Sequence, residues 1–245
     1  MPVAWHDATA LALNSSLCMR RRRRPPAACS EIVFTCPPRG EGTRASYAPI
    51  GISRWHRWTL TAFLAINSLA NKPYEARRFK IDQDFLPVGT APGNGPDLIF
   101  EFHDFVIVVE VTLTDNSRQE AAEGEPVRRH VADLVSHYAI QSGKPVYGLF
   151  IANRIDSNTA ETFRIGVWFT RTDDKMRLDI IPVTLVQFKA FFEALFTSGR
   201  VEVGLIRELL DLCGGLRPAH EAPAWKHEIQ QTFNHRIAAI TAMRN

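Results

Sequence analysis

The chain has 245 residues, enough for one full domain with or without a tail, and its content of 45% apolar and 22% charged residues is typical of globular proteins. Its formal net charge of +3 does not by itself indicate a nucleic-acid-binding protein, because five consecutive arginines, Arg20 to Arg24, supply the whole excess. Any nucleic-acid contact by the folded part must therefore come from local basic patches.

Four cysteines occur without the CxxC spacing of zinc sites: Cys18, Cys29, Cys36 and Cys213. Free thiols in a reducing cytoplasm are the simpler interpretation, and a zinc site built from the first three with His6 is the alternative. No apolar run reaches the roughly 18 residues of a membrane span. The N-terminus also differs from a signal peptide, because its positive charge follows its weak apolar stretch. We therefore expect a cytoplasmic protein.

Residues 1–50 lack sustained periodicity and contain the arginine run, several glycines and the pairs Pro25-Pro26 and Pro37-Pro38. This composition predicts a disordered or poorly structured basic tail. The arginines could bind phosphates, but a solvated tail, or translated sequence upstream of the true start, is the simpler interpretation. Residues 51–245 then form the folded domain.

The first two predicted elements of this domain are a helix and a β-hairpin. The apolar spacing predicts a helix over residues 55–69, with Ser53 as its N-cap and Pro73 beyond its end. The segment from Gly95 to Leu113 predicts a hairpin, with His103-Asp104 at its turn.

The later segments alternate between helices and strands. A short polar helix is expected over 118–123, broken at Gly124, and a longer helix should start at Pro126 and reach about Ile140. Further strands are predicted over 146–152, 165–170 and 178–182, and further helices near Thr159 and over 183–196, 203–212 and 225–243. This order predicts one α/β domain with a mixed central sheet and helices on both faces.

Two carboxylates on the hairpin occupy positions where burial disfavours charge. Glu110 follows the apolar run Val106 to Val109, which is a buried-strand pattern. Such a carboxylate is unfavourable unless it is paired, and a divalent cation shared with Asp97 would pair it. Two carboxylates and the carbonyl of Val111 suffice for Mg²⁺, for which Mn²⁺ is expected to substitute. The bound metal would activate water and stabilise charge on phosphate, as phosphodiester cleavage requires.

A Pro-Asp pair followed by a glutamate on the next strand is the layout of PD-(D/E)xK nucleases, which carry a lysine two residues after the glutamate. Here that position is Thr112, which has no positive charge. Another group must then stabilise the transition state, or the site is inactive. The candidates are Arg118, Arg128 and Arg129 for phosphates, Glu123 for a second metal, and His130 as a residue facing the site.

The runs 109–114 and 117–131 resemble the cleavage domain of AlwI/MlyI/PleI-type type IIS restriction endonucleases and related nicking endonucleases. Residues 73–79 and 91–97 are similar as well, so the resemblance covers roughly Trp55 to Ala152. It implies a restriction-endonuclease-like fold and Mg²⁺-dependent hydrolysis of double-stranded DNA. That family also has threonine at the position of Thr112, so this residue does not imply an inactive site.

The resemblance also implies roles for individual residues. Asp97, Glu110 and Glu123 become the acidic residues of the metal site, and His130 becomes a residue that lines it. Glu75 is a further upstream candidate. Nucleic-acid contacts are expected from basic residues on both sides of the hairpin: Arg77, Arg78, Arg118, Arg128 and Arg129. A purely structural role remains the alternative for each, least so for Asp97 and Glu110.

One departure from the family concerns the partner. Full-length relatives carry a large N-terminal domain that reads the DNA sequence, and the residues before Trp55 are too few for that. The chain resembles the small cleavage subunit of a heterodimeric enzyme, or a fragment of a larger enzyme, and it is expected to work with a large recognition subunit or a second cleavage domain. Two alternatives stay open: an inactive subunit or fragment that docks on a DNA-binding protein, and a nuclease of another branch acting in repair or mobile-element transfer.

Overall fold

A computed structural model describes residues 47–66, 68–80, 95–115 and 118–243 of the chain. Most of the expected basic tail, the arginine run and the alternative zinc site at Cys18, Cys29, Cys36 and His6 therefore lie outside the described residues. The first helix starts at Tyr47, within the range that was expected to be irregular.

The elements follow one another in an order close to the predicted one. In chain order they are α1 (Tyr47–Leu64), α2 (Pro73–Ala76), β1 (Leu98–Glu101), β2 (Val106–Thr112), a π-helical turn (Glu120–Gly124), α3 (Glu125–Leu134), a second π-helical turn (Val135–Ala139), α4 (Ile140–Ser142), β3 (Val146–Ala152), α5 (Ser157–Ile165), β4 (Val167–Phe169), β5 (Lys175–Arg177), β6 (Asp179–Thr184), α6 (Leu185–Ser198), α7 (Val203–Gly215), a 3-10 turn (Arg217–Ala219) and α8 (Ala222–Ala242).

The central sheet has four strands in the order β1-β2-β3-β6. Strands β1 and β2 form the predicted antiparallel hairpin, whose turn at His103-Asp104 is closed by a hydrogen bond from Phe102 N to Phe105 O of 2.9 Å. Strand β2 runs parallel to β3, and β3 parallel to β6. The predicted mixed sheet is therefore confirmed, and the carboxyl ends of β2, β3 and β6 meet at one edge.

Helices cover both faces of this sheet. On one face, the Phe63 ring of α1 stacks on Phe100 of β1 at 4.3 Å between centroids, and it also meets Phe192 of α6 at 5.1 Å. On the other face, α3 lies so close to β3 that a Cβ added to Gly148 would come within 2.9 Å of Val131. The missing side chain of Gly148 thus allows α3 to approach the sheet.

One predicted feature is wrong, and a predicted strand is confirmed at an unexpected place in the fold. Gly124 does not interrupt the helix: the π-helical turn runs directly into α3, and Gly124 is buried there. The strand expected over 165–170 is shorter and lies outside the central sheet, because β4 pairs with β5 in a separate two-stranded sheet. A hydrogen bond of 3.0 Å from Thr170 N to Asp174 O closes that hairpin.

Within the described part of the chain, no helix has both the length and the apolar character needed to cross a membrane. Cys213 is a free, fully buried thiol, as expected for the cysteine of the folded part. Burial raises the pKa of this thiol to about 12, so it remains protonated and unreactive at neutral pH.

Candidate active site

Asp97 and Glu110 face each other where the β1–β2 pairing ends. Leu98 is paired with Val109, so the next positions in the register are Asp97 and Glu110. Their groups are cross-linked: Val111 N donates to Asp97 Oδ2 at 3.0 Å, and the backbone N–H of Asp97 donates to the Glu110 carboxylate. The hairpin predicted from sequence thus brings the two predicted carboxylates together.

The Glu110 carboxylate has a raised pKa. Its side chain is only 13% exposed, and burial raises its pKa from 4.5 to about 7. The nearby charge of Asp97 raises the pKa further, whereas the hydrogen bond with His130 opposes the shift. A buried carboxylate beside a second carboxylate is therefore held near the point of protonation at neutral pH.

His130, on α3, contacts Glu110 directly. Its Nδ1 lies 2.6 Å from Glu110 Oε1, and the side chain is 7% exposed. Its other ring nitrogen, Nε2, is buried and has no hydrogen-bond partner among the described residues. The predicted placement of His130 next to the carboxylates is therefore what the fold produces, with one ring nitrogen left available.

A second histidine, His56 on α1, was not predicted from the sequence. Its Nε2 lies 2.8 Å from Asp97 Oδ2, and its side chain is 3% exposed. Its ring packs against Phe79, with 5.4 Å between the centroids. His56 lies at helical spacing from Thr59 and Phe63, so it belongs to the buried face of its helix. Its contact with Asp97 was not predictable, because the two residues are far apart in the sequence.

Glu123 is held at the edge of the site by two threonines. Thr112 Oγ1 donates to Glu123 Oε1 at 2.9 Å, and Thr114 Oγ1 donates to the same atom at 3.4 Å. Thr112 stands where related motifs have lysine, and here its hydroxyl binds a carboxylate. The structure thus brings Glu123 to the residue two positions after Glu110.

The segment between β2 and α3 is held in place by Gln119, a fully buried residue that sequence reasoning missed. Its amide nitrogen donates to the carbonyl oxygens of Thr114 and Arg154, and its amide oxygen accepts from Asp156 N at 2.8 Å. These bonds join the ends of β2 and β3, so Gln119 fixes the segment that carries Glu123.

The sequence matches the family described as AlwI restriction endonuclease over residues 54–191, which is more than half of the chain. The chain belongs to the AlwI restriction endonuclease family. Its fold is similar to that of the small subunit, R.BspD6I2, of the heterodimeric restriction endonuclease R.BspD6I, with 24% identity and a TM-score of 0.56 over 77% of this chain and 88% of that chain. No curated protein matches the sequence.

This AlwI-family chain has donors that fit a divalent cation, which restriction endonucleases generally use. No group of three or more His, Cys, Asp or Glu side chains suited to a metal occurs among the described residues. Mg²⁺ does not require such a group, because two carboxylates, a carbonyl oxygen and water molecules can complete its coordination. Asp97 and Glu110 supply the carboxylates, and a cation would relieve their repulsion. Since Val111 N–H points to Asp97, the Val111 carbonyl points to the same side of the strand.

The predicted DNA-binding arginines of this AlwI-family chain differ in their surroundings. Arg78 is exposed beside the site, and its backbone N donates to Asp97 O at 3.0 Å. Arg77 Nη1 donates to Phe79 O at 3.0 Å. Arg118 is exposed, and Arg129 Nε lies 3.2 Å from Glu125. Each of these four stays a prediction for nucleic-acid binding.

Arg128 and Glu75 have local structural contacts. The Arg128 guanidinium donates to Val167 O and lies 5.3 Å from the ring centroid of Trp168. These contacts connect α3 to the β4–β5 hairpin, and DNA would have to compete with them. Glu75 is exposed and accepts a hydrogen bond from Lys72 N at 2.8 Å, which caps α2.

Proposed function

We propose that this chain is a Mg²⁺-dependent, type IIS-like endodeoxyribonuclease cleavage subunit that hydrolyses DNA phosphodiester bonds. The observation that carries the proposal is the opposed, partly charged pair of Asp97 and Glu110 at the buried end of the β1–β2 hairpin. This pair lies inside the region that matches the AlwI family. A carboxylate pair that destabilises itself without a cation supports a metal-binding role over a structural one.

In this proposal Asp97, Glu110 and the carbonyl of Val111 hold the metal. When bound, Mg²⁺ would supply an activated water and charge stabilisation on the phosphate, and Mn²⁺ is expected to replace it. His130 orients Glu110 through Nδ1, so Nε2 is the atom at which this histidine can take up or release a proton. The burial of the site keeps these groups in fixed positions.

Thr112 cannot provide the positive charge of the missing lysine. Its role in this proposal is to hold Glu123 at the position two residues beyond Glu110 on β2, where Glu123 would be available to a second metal ion. Exposed Arg78 and Arg118 are proposed to contact the DNA backbone, with Arg77 and Arg129 as further contacts. Both positive charge and a second ion would stabilise the phosphate in the transition state.

Sequence recognition is proposed to come from a partner. The similar protein R.BspD6I2 is described as the small subunit of a heterodimeric restriction endonuclease. By analogy, this chain would act in the cytoplasm on double-stranded DNA with a large recognition subunit or a second cleavage domain. Alone, it should show little sequence specificity.

Nicking of supercoiled plasmid at high protein concentration, with Mg²⁺ or Mn²⁺, tests the proposal. Wild type should relax the plasmid only with metal, and the double variant Asp97→Ala/Glu110→Ala should not. Asp133→Ala is the matched control, because Asp133 is an exposed carboxylate on the helix that carries His130. Relaxation by the double variant would refute the site.

If neither protein relaxes the plasmid, a Mn²⁺ titration of the isolated chain separates two explanations. Saturable binding that Asp97→Ala/Glu110→Ala removes indicates a competent site that lacks its partner. Absence of binding indicates the inactive docking subunit that was the alternative from the sequence.

A further inference from the structure

Two groups meet the same oxygen of Asp97. Val111 N donates a hydrogen bond to Oδ2 at 3.0 Å, and His56 Nε2 lies within ion-pair distance of the same oxygen, at 2.8 Å. Oδ1 takes part in neither of these contacts. A carboxylate fixed at one oxygen in this way keeps its second oxygen in a defined direction.

His56 is well suited to fix a side chain because its own position is constrained. It is 2% exposed, and its ring packs on Phe79. The helix that carries it is locked to the sheet and to α6, through Phe63 on Phe100 and through Trp58 on Phe188 at 5.5 Å. A polar ring in such a core is costly to bury without a polar neighbour. The carboxylate of Asp97 is that neighbour, through an ion-pair contact of 2.8 Å rather than a directional hydrogen bond.

The two carboxylates of the proposed site are therefore served by two histidines from opposite faces of the sheet. His130 of α3 contacts Glu110, and His56 of α1 contacts Asp97. We infer that His56 is a positioning residue that holds Asp97 in the orientation needed to bind a divalent cation. This inference rests on the proposed function, because it assigns His56 a role toward the cation of that site.

A positioning role for His56 predicts an effect on metal binding that a packing role does not. Loss of an outer partner of a metal ligand typically lowers metal affinity or activity by about 10- to 100-fold. If His56 only fills space, any side chain that keeps the fold should leave Mn²⁺ binding unchanged. If His56 positions Asp97, binding should depend on whether the replacement places a nitrogen where Nε2 lies.

Comparing His56→Gln with His56→Asn tests these two roles, because both replacements carry the same amide group. The glutamine amide nitrogen can reach the position of Nε2, whereas the asparagine amide nitrogen reaches only that of Nδ1. Mn²⁺ binding to the isolated full chain at fixed pH should stay within about threefold of wild type for His56→Gln and weaken about 10-fold or more for His56→Asn. Thermal melts of the apo proteins establish that both variants are folded, and His235→Asn, at an exposed histidine of α8, is the matched control.

Wild-type Mn²⁺ affinity in folded His56→Asn would overturn this inference, and so would equal losses in both amide variants. If His56→Asn does not fold, His56→Leu replaces the ring with an apolar side chain and should show the same weakening. Wild-type chain without saturable Mn²⁺ binding would instead refute the proposed function, and this inference with it.

Discussion

Two buried charged groups lie at opposite ends of the same sheet and differ in how well they are compensated. At the amino end of β6, the Arg217 side chain is 3% exposed and its guanidinium contacts the Asp179 carboxylate, Leu178 O at 2.9 Å and Gly214 O at 3.1 Å. At the carboxyl end of β2, the Glu110 side chain is 13% exposed, and its pKa is raised to about 7.

Under the proposed function, this difference separates a structural charge, Arg217, from a functional one, Glu110. The donors of Arg217 are matched by protein acceptors, as buried polar groups in stable folds usually are. Glu110 has His130 and the N–H of Asp97, yet burial and the Asp97 charge outweigh them. Under the proposed function, a charge that the fold leaves under-compensated is where the external cation would bind.

The structural end should give the largest effect on stability. Arg217→Met removes the guanidinium and leaves the carbonyl oxygens of Leu178 and Gly214 without that donor. Breaking a buried pair typically costs about 3–5 kcal/mol, and the lower end applies here because Asp179 is 45% exposed. Urea unfolding at neutral pH measures the loss.

Arg236→Met is the control for this prediction, because Arg236 also pairs with a carboxylate, Glu208, but at a more exposed position. It should cost at most about 1 kcal/mol. Similar losses for both variants would remove the contrast between the buried charge and an ordinary surface pair.

The hairpin and the two carboxylates were predictable because their signals are local. The apolar run ending at Glu110, the turn at His103-Asp104 and the Pro-Asp pair before β1 all lie in one segment. Antiparallel pairing across a short turn leaves little freedom in register, so the approach of Asp97 to Glu110 follows from the hairpin itself.

Contacts between distant segments were not predictable in the same way. His56 and Gln119 act on groups that come close only when α1 packs on the sheet and the ends of β2 and β3 meet. Gly124 was expected to break the helix, since glycine disfavours helices by about 1 kcal/mol. In the fold, Gly124 is instead buried within a continuous helical segment, where the π-helical turn runs into α3.

The functional end should respond to pH in the opposite sense to a stabilising ion pair. The pKa of Glu110 is raised from 4.5 to about 7 in the fold, so between these values the folded state binds more protons than the unfolded state. The apo protein therefore loses stability as pH rises through this window, by up to about 3 kcal/mol. Glu110→Gln should abolish this loss and be more stable than wild type at pH 8, while differing little at pH 4.

Thermal unfolding of both apo proteins across this pH range measures the effect. Adding Mn²⁺ at pH 8 should raise the Tm of wild type and leave that of Glu110→Gln nearly unchanged, because the cation binds only the folded wild-type site. Wild type more stable than Glu110→Gln at pH 8 without metal would show that the burial of Glu110 is compensated after all, as that of Arg217 is.

The contact of Thr112 with Glu123, at the edge of the site, should contribute least to stability. Thr112 Oγ1 donates to Glu123 and accepts a hydrogen bond of 3.1 Å from Thr114 N. Thr112→Val keeps the shape of the side chain and removes both bonds, so we expect a loss of about 1 kcal/mol in urea unfolding. Thr197→Val, at an exposed threonine of α6, controls for the substitution itself.

If Glu123 serves a second ion, Thr112→Val should slow metal-dependent nicking more than Thr197→Val does, whereas Mn²⁺ binding by Asp97 and Glu110 should persist. Unchanged nicking would place Glu123 with Arg217, among the charged groups that the fold uses only for its own structure.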